Sequence, residues 1–410
     1  MGLGITVYYP ANGNLKAFES FFKKVKPVVP GWDIDSQFGE NGFRVELVPF
    51  EEELYGSLGD GMICISAKTN SAGPGYHAYL VELLDGIDVK PAEVCDETGY
   101  YEDRDFEKLQ DSMLNWLYSL SGQILEMADG GDYSNISVCL SINETPTESK
   151  HLTCCPLGYR DRDFYERVID GNVSGDEFFM WWNKGQNAEF YRNCALSAMW
   201  NDVNWLAPEL DHESKILVRV LACLDKAYSL DDSLNYPVAE WMEVAELIQD
   251  DELTNNLQSR YSDVGESSIG YMRNKVRGNV GGWMFEHDGR MHFEADDQGT
   301  HVWRDDEMTI RVTTFNVQFK EKVDDMTEAL LASVLEREQN CDRIKLPNKD
   351  IAAAIQHAQI EEDGEVLQQT RLFVTFNESL MMASLYYSDE SKKDLAIEIC
   401  SSVTRLSEGS

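Results

Sequence analysis

The chain has 410 residues, of which 35 are Lys or Arg and 73 are Asp or Glu, so its formal net charge at pH 7 is −38. Nucleic-acid phosphates and anionic lipids repel a surface this acidic, and we therefore exclude direct binding to nucleic acid or to a membrane. With 43% hydrophobic and 26% charged residues the composition is that of a folded protein, and no run of about 18 apolar residues indicates a membrane-spanning helix.

Two features indicate the compartment. The N-terminal residues Met-Gly-Leu-Gly-Ile-Thr-Val-Tyr-Tyr-Pro lack the basic region and the long apolar run of a secretory signal. The nine cysteines include no C-x-x-C pair, and several lie within apolar runs, which is typical of buried thiols in a reducing compartment. We therefore expect a cytoplasmic protein with no metal centre and no bound cofactor.

Residues 1–150 alternate between strand and helix patterns. The predicted strands are 5–9, 43–48, 62–67 and 136–140, and the predicted helices are 76–84 and 105–127. The strand at 62–67 is apolar enough for the centre of a sheet, and apolar residues in the longer helix recur every three or four positions. This alternation predicts an N-terminal α/β domain.

Residues 151–264 differ, because they hold five of the nine tryptophans and their apolar periodicity is helical. One stripe consists of Leu217, Val220, Leu221, Leu224 and Tyr228. Only one repeat-like unit is visible, whereas a solenoid needs about three. We therefore predict a small helical module rather than a repeat array.

Residues 265–410 turn to β patterns. The Asp288-Gly289 pair lies between the apolar runs 283–285 and 291–293, which predicts a hairpin. The other predicted elements are strands at 300–304 and 308–317, a helix at 326–336, a hairpin turned at Asp363-Gly364 with strands at 371–376 and 381–387, and a helix at 392–406 capped by Ser388-Asp389-Glu390. Together they predict an α+β sandwich domain whose terminal helix packs across the sheet.

The order of elements in residues 265–410, with the hairpin at Trp283 near their start, resembles the PsbP-like α/β sandwich. That fold occurs in plant, fungal and bacterial proteins that mostly act as binding or adaptor modules, so the resemblance implies such a role. The whole chain is also similar to a family of uncharacterised bacterial cytoplasmic proteins. The matching stretches are Asp96-Glu-Thr-Gly-Tyr-Tyr-Glu-Asp-Arg-Asp-Phe-Glu-Lys-Leu-Gln, Phe190-Tyr-Arg-Asn-Cys-Ala-Leu-Ser-Ala-Met-Trp and Ile269-Gly-Tyr-Met-Arg. This second resemblance implies no particular activity.

A glycine-rich segment between a predicted strand and a predicted helix is the first candidate site. Its candidate ligand-binding residues are Ser71, Gly73, Gly75, Tyr76 and His77. Backbone N–H groups at such a turn, aided by the helix dipole, can hold an anion, and His77 in the first helical turn would be a neutral base. The segment lacks the lysine and the spacing of a phosphate-binding loop, and Pro74 removes one donor, so we favour the ordinary role of a tight turn with a capping serine.

The run Phe178-Phe179-Met180-Trp181-Trp182 is the densest aromatic cluster. If Phe178, Phe179, Trp181 and Trp182 are exposed, they form a candidate protein-binding surface, since aromatic side chains dominate binding hot spots. If they are buried, they form the core of the helical module. Both interpretations stay open, and the rarity of large exposed apolar patches favours the core.

A set of histidines near the start of the C-terminal region is a candidate metal site. The set is His287, His292 and His301, with Asp288, Glu294, Asp296 and Asp297 close by in the sequence. Imidazoles and carboxylates are zinc ligands, but this spacing matches no recognised metal pattern. We therefore expect solvent-exposed histidines and no metal.

Two acidic motifs, Asp103-Arg104-Asp105 and Asp161-Arg162-Asp163, each precede a helical pattern. Paired carboxylates can serve as a general acid and base. Acidic residues before a helix more simply cap its free N–H groups and interact favourably with its dipole. We expect the capping role for both motifs.

These observations favour a non-enzymatic function, since the sequence contains neither a nucleophile elbow nor an H-E-x-x-H motif. The first hypothesis is a protein-interaction module of a bacterial cytoplasm, of the immunity, defence or chaperone kind, that binds a basic protein partner. The alternative is an enzyme or a small-ligand sensor that uses the Ser71–His77 segment. A third interpretation is that the acidity is an adaptation to high salt and implies no partner.

Overall fold

The computed structural model describes residues 2–11, 15–49, 53–130, 136–140, 144–147, 151–261, 265–296, 299–318, 325–338, 340–362 and 364–406. The chain divides into two compact units. The first unit comprises residues 1–142 and 148–270, and the second comprises residues 143–147 and 271–410. Among the described residues, every helix is too short or too polar to cross a lipid bilayer.

The first unit contains both strands and helices. In chain order its elements are β1 (Gly4–Pro10), α1 (Leu15–Phe22), β2 (Asp35–Phe38), β3 (Gly42–Glu46), β4 (Leu54–Gly59), β5 (Met62–Lys68), α2 (Pro74–Asp85), β6 (Glu93–Asp96), α3 (Tyr100–Asp103), α4 (Phe106–Gly130), β7 (Ile136–Ser137), β9 (Thr153–Cys155), β10 (Gly158–Arg160), α5 (Arg162–Ile169), α6 (Ala188–Asn201), α7 (Asp211–Leu230), α8 (Val238–Leu247) and α9 (Asp251–Arg260). The strand β8 belongs to the second unit.

The N-terminal sheet has the strand order β2-β3-β4-β5-β1-β6, and its described pairings are antiparallel. Alternate residues of β1 are buried, namely Ile5, Val7 and Tyr9, which explains why this strand can be predicted from its apolar spacing. The α/β class usually has a parallel sheet. The structure shows instead a mix of helices with an antiparallel sheet, because several consecutive strands pair as hairpins.

Helices dominate the rest of the first unit. In α4 the buried residues Leu109, Met113 and Leu117 follow the predicted four-residue steps. The predicted boundary between residues 150 and 151 lies inside this unit. One reason is that the Trp181 backbone, in the tryptophan-rich region, donates to the Ala72 carbonyl at 2.8 Å and accepts from the Gly75 N–H at 2.8 Å.

The second unit begins with the short strand β8, which precedes residues 148–270 of the first unit in the chain. Its elements are β8 (Glu144–Pro146), β11 (Lys275–Val280), β12 (Trp283–Asp288), β13 (His292–Ala295), β14 (Thr300–Arg304), β15 (Met308–Asn316), α10 (Met326–Leu335), β16 (Asp342–Ile344), β17 (Ala352–Glu362), β18 (Glu365–Phe376), β19 (Ser379–Tyr387), α11 (Lys393–Ser401) and β20 (Thr404–Arg405). One sheet has the order β20-β12-β11-β8, and the other has the order β13-β14-β15-β19-β18-β17-β16.

The predicted hairpin around Asp288-Gly289 is wrong, because β12 and β13 lie in different sheets. The hairpin is instead formed by β11 and β12. It closes at Gly281-Gly282, where both residues have positive φ (59° and 83°), as the tight turns that suit paired strands require. At Gly289 a Cβ would lie 2.7 Å from the Asn274 carbonyl, so this glycine permits a close approach of two chain segments.

One hydrophobic core of the second unit contains side chains from both sheets and from α11, among them Trp283, Ile310 and Ile399. A second cluster joins Leu331 of α10 to strands β17 and β18. The predicted terminal helix at 392–406 is too long. The helix α11 ends at Ser401, and the chain continues into β20, which pairs with β12.

Candidate functional site

The glycine-rich segment lies between β5 and α2, as the sequence predicts. The N-cap residue of α2 is Gly73, whose φ is 111°. A glycine has no side chain that could cap the helix, and Ser71 lies two residues before the N-cap position. The expected capping role of Ser71 is therefore wrong. Ser71, Gly73, Gly75, Tyr76 and His77 are all buried.

The backbone of this segment is bonded within the protein. The Gly75 N–H donates to the Trp181 carbonyl, and the Gly73 N–H donates to the Thr69 carbonyl at 3.0 Å. The His77 N–H donates to the Gly73 carbonyl at 3.2 Å. The N–H groups of Gly73 and Gly75 are among those that an anion at the helix terminus would use, and carbonyls of the protein engage both, while the His77 N–H makes the first regular bond of the helix.

Close packing explains the two glycines. A Cβ at Gly75 would lie 2.0 Å from Cδ1 of Trp181, and a Cβ at Gly73 would lie 2.7 Å from Cβ of Phe179. Real side chains do not approach so closely, so both positions need a residue without Cβ. The structure thus brings the two predicted sites, the glycine segment and the aromatic run, into direct contact.

The aromatic run is mostly interior. Phe178, Phe179 and Trp181 are fully buried, and Trp182 is half-buried with its ring stacked on that of Phe179 at 5.7 Å. The ring of Trp181 lies 4.2 Å from that of Phe190 in α6. A protein-binding surface requires exposed rings, so these side chains act as core, which is the other interpretation of the run.

His77 is the centre of a buried polar network. Its Nδ1 lies 2.8 Å from the Thr69 hydroxyl, and its Nε2 lies 3.2 Å from the Thr98 hydroxyl and 3.3 Å from Oδ1 of Asp96. The His77 side chain is fully buried, and only 4% of the Asp96 side chain is exposed. The network therefore ties the glycine segment to the end of β6.

The Asp96 carboxylate is stabilised in its charged form. Burial acts to raise its pKa, but the hydrogen bond and the charge of His77 and the N–H groups of Tyr101 and Thr98 outweigh burial and hold the pKa well below its usual range. The Tyr101 N–H donates to Oδ2 at 2.7 Å, and both the N–H and the hydroxyl of Thr98 donate to Oδ1 at 2.8 Å. The charged carboxylate of Asp96 therefore faces Nε2 of His77 at 3.3 Å within this network.

This arrangement of a carboxylate, an imidazole and a hydroxyl contains the groups of an acid–base relay, but each group faces another group of the protein. The geometry is suited to locking the segment in place, because a buried charge with several donors is costly to disrupt. The sequence alone does not identify Thr69, Asp96 and Thr98 as partners of His77. One local signal is the Asp96-x-Thr98 spacing at the end of a strand, which is typical of a side chain that accepts from the backbone two residues later.

The expectation of exposed histidines in the C-terminal region is wrong for His287 and His292, which are buried. The two lie in different sheets, and the described residues contain no group of three or more potential metal ligands. Nδ1 of His287 lies 2.8 Å from the Asp288 carbonyl, and Nε2 lies 3.4 Å from Oε1 of Glu144 in β8. Asp297 lies outside the described residues.

The capping role of the two acidic motifs is confirmed. Asp161 is the N-cap of α5, where its carboxylate accepts from the Phe164 N–H at 2.9 Å. Asp105 accepts from the Lys108 N–H in the first turn of α4 at 3.2 Å. Both motifs are thus explained by free N–H groups at helix starts.

Comparisons with known proteins give weak similarities. No protein-family model and no curated protein matches the chain. Among solved structures, the chain is similar to a crystal structure from Bacteroides thetaiotaomicron, with 11% identity, a TM-score of 0.27 and alignment over 32% of this chain and 47% of that one. It is also similar to the solution structure of the cyanobacterial PsbP protein from Synechocystis, with 14% identity, a TM-score of 0.17 and alignment over 30% of this chain and 87% of that one. A weak structural similarity to PsbP is therefore present, and TM-scores this low carry no argument about function.

Proposed function

We propose that the protein binds a basic protein partner through an acidic surface, as an immunity, defence or chaperone-type module. The observation that carries the proposal is a stretch of the first unit that has no basic residue. Between Lys226 and Arg260 the sequence contains no Lys, Arg or His but contains eight carboxylates. These are Asp231, Asp232, Glu240, Glu243, Glu246, Asp250, Asp251 and Glu252.

Some of these carboxylates serve the fold. Glu240 is buried and accepts from the N–H groups of Ser268 and Ile269 at 2.7 and 3.1 Å, and Asp250 caps α9 by accepting from Leu253. Others remain at the surface. The exposed members are Asp232, Glu246, Asp251 and Glu252.

Electrostatics support this surface as a binding region. The net charge of −38 attracts a cationic protein over a distance of about one Debye length, roughly 8 Å at physiological salt, and accelerates encounter. The exposed carboxylates of this stretch add negative charge where the local sequence supplies no cation, and a basic partner can pair with them. The expected signature is an association that weakens as the salt concentration rises.

The test is a tagged pull-down of the full chain at low and at high salt, followed by binding measurements with the purified captured protein. We expect one stoichiometric basic protein that high salt releases. The triple variant Glu246→Gln, Asp251→Asn, Glu252→Gln should weaken binding about tenfold, while the matched variant Glu107→Gln, Asp111→Asn, Glu126→Gln on exposed positions of α4 should not. An affinity that does not change with the salt concentration would contradict the proposal. Equal loss of affinity in both variants would contradict it as well.

The alternative function, an enzyme or sensor that uses the Ser71–His77 segment, stays a prediction. It requires this segment to open, because its N–H groups and His77 are bonded inside the protein. A pull-down without any partner, together with a small molecule that binds the unmodified chain and changes the amide hydrogen exchange of residues 71–77, would favour it. Adaptation to high salt would instead show as stability that rises with salt while no partner is captured.

We also propose the finer assignments that the sequence resemblances imply. These are a PsbP-like sandwich with an adaptor role for residues 265–410, membership of a bacterial protein family and a cytoplasmic location. Their support is the order of elements and the quoted sequence stretches. A binding partner that associates with residues 265–410 would support the adaptor role.

A further inference from the structure

The second unit contains a cavity of about 190 Å³ that the sequence did not indicate. It lies where the start of β11, the end of β12, the turn before β15 and the helix α11 meet. Cavities that bind drug-sized molecules usually have about 300–1,000 Å³, so this one suits a smaller molecule. All residues that line the cavity belong to the second unit, whereas the acidic stretch belongs to the first, so this inference does not rest on the proposed function.

One part of the cavity is apolar. Met291, Met308 and Ile399 are buried and form its interior, while Leu395 in α11 is 40% exposed. Methionine side chains adapt their shape to small apolar groups, because they are unbranched and polarisable. This part of the cavity fits an aliphatic or aromatic side chain.

The polar part of the lining is electrically balanced. It contains the cations Arg273, Lys275 and Lys392 and the anions Asp288, Asp305 and Glu307. The chain as a whole has 35 basic against 73 acidic residues, so an equal number of both signs around one cavity departs from the composition. The anionic group of a ligand is repelled by most of the protein surface, but it can bind at this cavity.

The charges of this lining already form ion pairs at the surface. Nζ of Lys392 pairs with Oε2 of Glu307, and Lys275 pairs with Glu398. Such exposed pairs contribute little stability and exchange partners readily. A ligand with one positive and one negative group can replace these contacts without burying a net charge, whereas a singly charged ligand leaves one protein charge uncompensated.

We propose that this cavity binds a small zwitterion with an apolar side chain, the chemistry of a free apolar α-amino acid. The apolar side chain occupies the space between Met291, Met308 and Leu395, and the two charged groups contact side chains of opposite sign at the polar end. A ligand of about ten non-hydrogen atoms is expected to bind with a Kd on the order of 0.1 mM.

The test is calorimetric titration of the full chain with L-leucine, L-methionine and L-phenylalanine. The controls are the N-acetyl, the amide and the N-acetyl amide forms of the same molecules, which remove one or both charges. We expect at least one free amino acid to bind and each blocked form to bind about tenfold more weakly or not at all. The absence of heat for all three amino acids at about 10 mM would overturn the proposal, as would equal binding of the blocked forms.

Two variants locate the site. Leu395→Trp fills the apolar part and should abolish binding, while Leu406→Trp, at another leucine of the second unit with 40% exposure, should leave binding unchanged. Lys392→Gln should weaken binding about tenfold without unfolding the protein, because the Lys392–Glu307 pair is at the surface. Binding that survives Leu395→Trp, or that Leu406→Trp weakens equally, would show that the ligand occupies another site and would overturn the assignment.

Discussion

The substitution Gly75→Ala tests whether the glycine segment is a packed part of the interior. The added Cβ would lie 2.0 Å from Cδ1 of Trp181 and 2.5 Å from the Asn183 carbonyl oxygen. Ordinary carbon contacts are about 3.5–4.0 Å, so the helix or the indole ring must move by roughly 1.5 Å. The ring is not free to move, because its Nε1–H donates to the Gly185 carbonyl at 2.8 Å and it stacks on Tyr79 at 5.4 Å.

The magnitude depends on two opposing effects. Overpacking of a well-packed interior costs about 1–3 kcal/mol, and a weakened buried hydrogen bond adds about 1 kcal/mol. Alanine in place of glycine in a helix stabilises the folded state by about 0.5–1 kcal/mol. We therefore expect a loss of about 1–3 kcal/mol in the free energy of unfolding of the first unit, seen as a fall of about 2–10 °C in Tm.

The assay is thermal and urea unfolding, followed by circular dichroism and by tryptophan fluorescence. The matched control is Gly122→Ala, a glycine inside α4 whose added Cβ would meet no atom within 4 Å. This control should gain about 0.5–1 kcal/mol, because only the helix effect remains. If Gly75→Ala is as stable as Gly122→Ala, the close packing is refuted and the segment has room to open for a ligand.

Three further predictions concern buried polar contacts. His77→Ala should lower the free energy of unfolding by about 1–3 kcal/mol, since it removes the imidazole that faces the buried Asp96 carboxylate and the Thr69 hydroxyl; an unchanged urea midpoint would contradict the network. The pKa of Asp96 in the folded protein lies below its unfolded value, so the stabilisation by its charged form is complete above about pH 5 and is lost as the pH falls through the folded pKa. In urea titrations, the difference in the free energy of unfolding between the wild type and Asp96→Asn should therefore narrow from about pH 7 towards about pH 3. Glu144→Ala should cost about 1–3 kcal/mol by removing the acceptor of the Trp303 Nε1–H at 2.6 Å, whereas Glu144→Gln, which keeps an oxygen there, should cost less; equal losses would show that the hydrogen bond is not the cause.

Elements with a strong periodic pattern could be predicted from the sequence. The strand at 300–304 has the predicted bounds, and the helix α10 ends one residue before its predicted end. In both cases the side-chain period of a single element determines which residues are buried, so local information is sufficient.

Pairing between elements could not be predicted to the same degree. The Asp288-Gly289 pair is a strong local turn signal, yet the hairpin closes at Gly281-Gly282. Asp-Gly and Gly-Gly pairs both permit the required backbone angles, so the choice between them depends on which strands share a core. That core includes Trp303 and Ile310 from a separate sheet, and this long-range packing has no local signature.

Contacts within the candidate site could not be predicted from the sequence either. The glycine segment and the aromatic run stand out in the sequence as separate features, each predicted from its own composition. Their contact joins residues about a hundred positions apart, such as Gly75 and Trp181. The glycine pattern therefore has a different cause from the one expected, namely close packing against an indole ring rather than the approach of a ligand.

This contact also determines which variants are informative about function. A substitution at Gly75, His77 or Trp181 disturbs the same interior, so a loss of any activity would follow from lost stability and would not identify a site. Exposed positions do not have this problem, because surface substitutions usually change stability by less than about 0.5 kcal/mol. The acidic positions around Glu246 and the cavity position Leu395 meet that condition, and they lie in different units. Loss of partner binding in the acidic variant with amino-acid binding retained, and the reverse in Leu395→Trp, would therefore separate the two functions without a stability artefact.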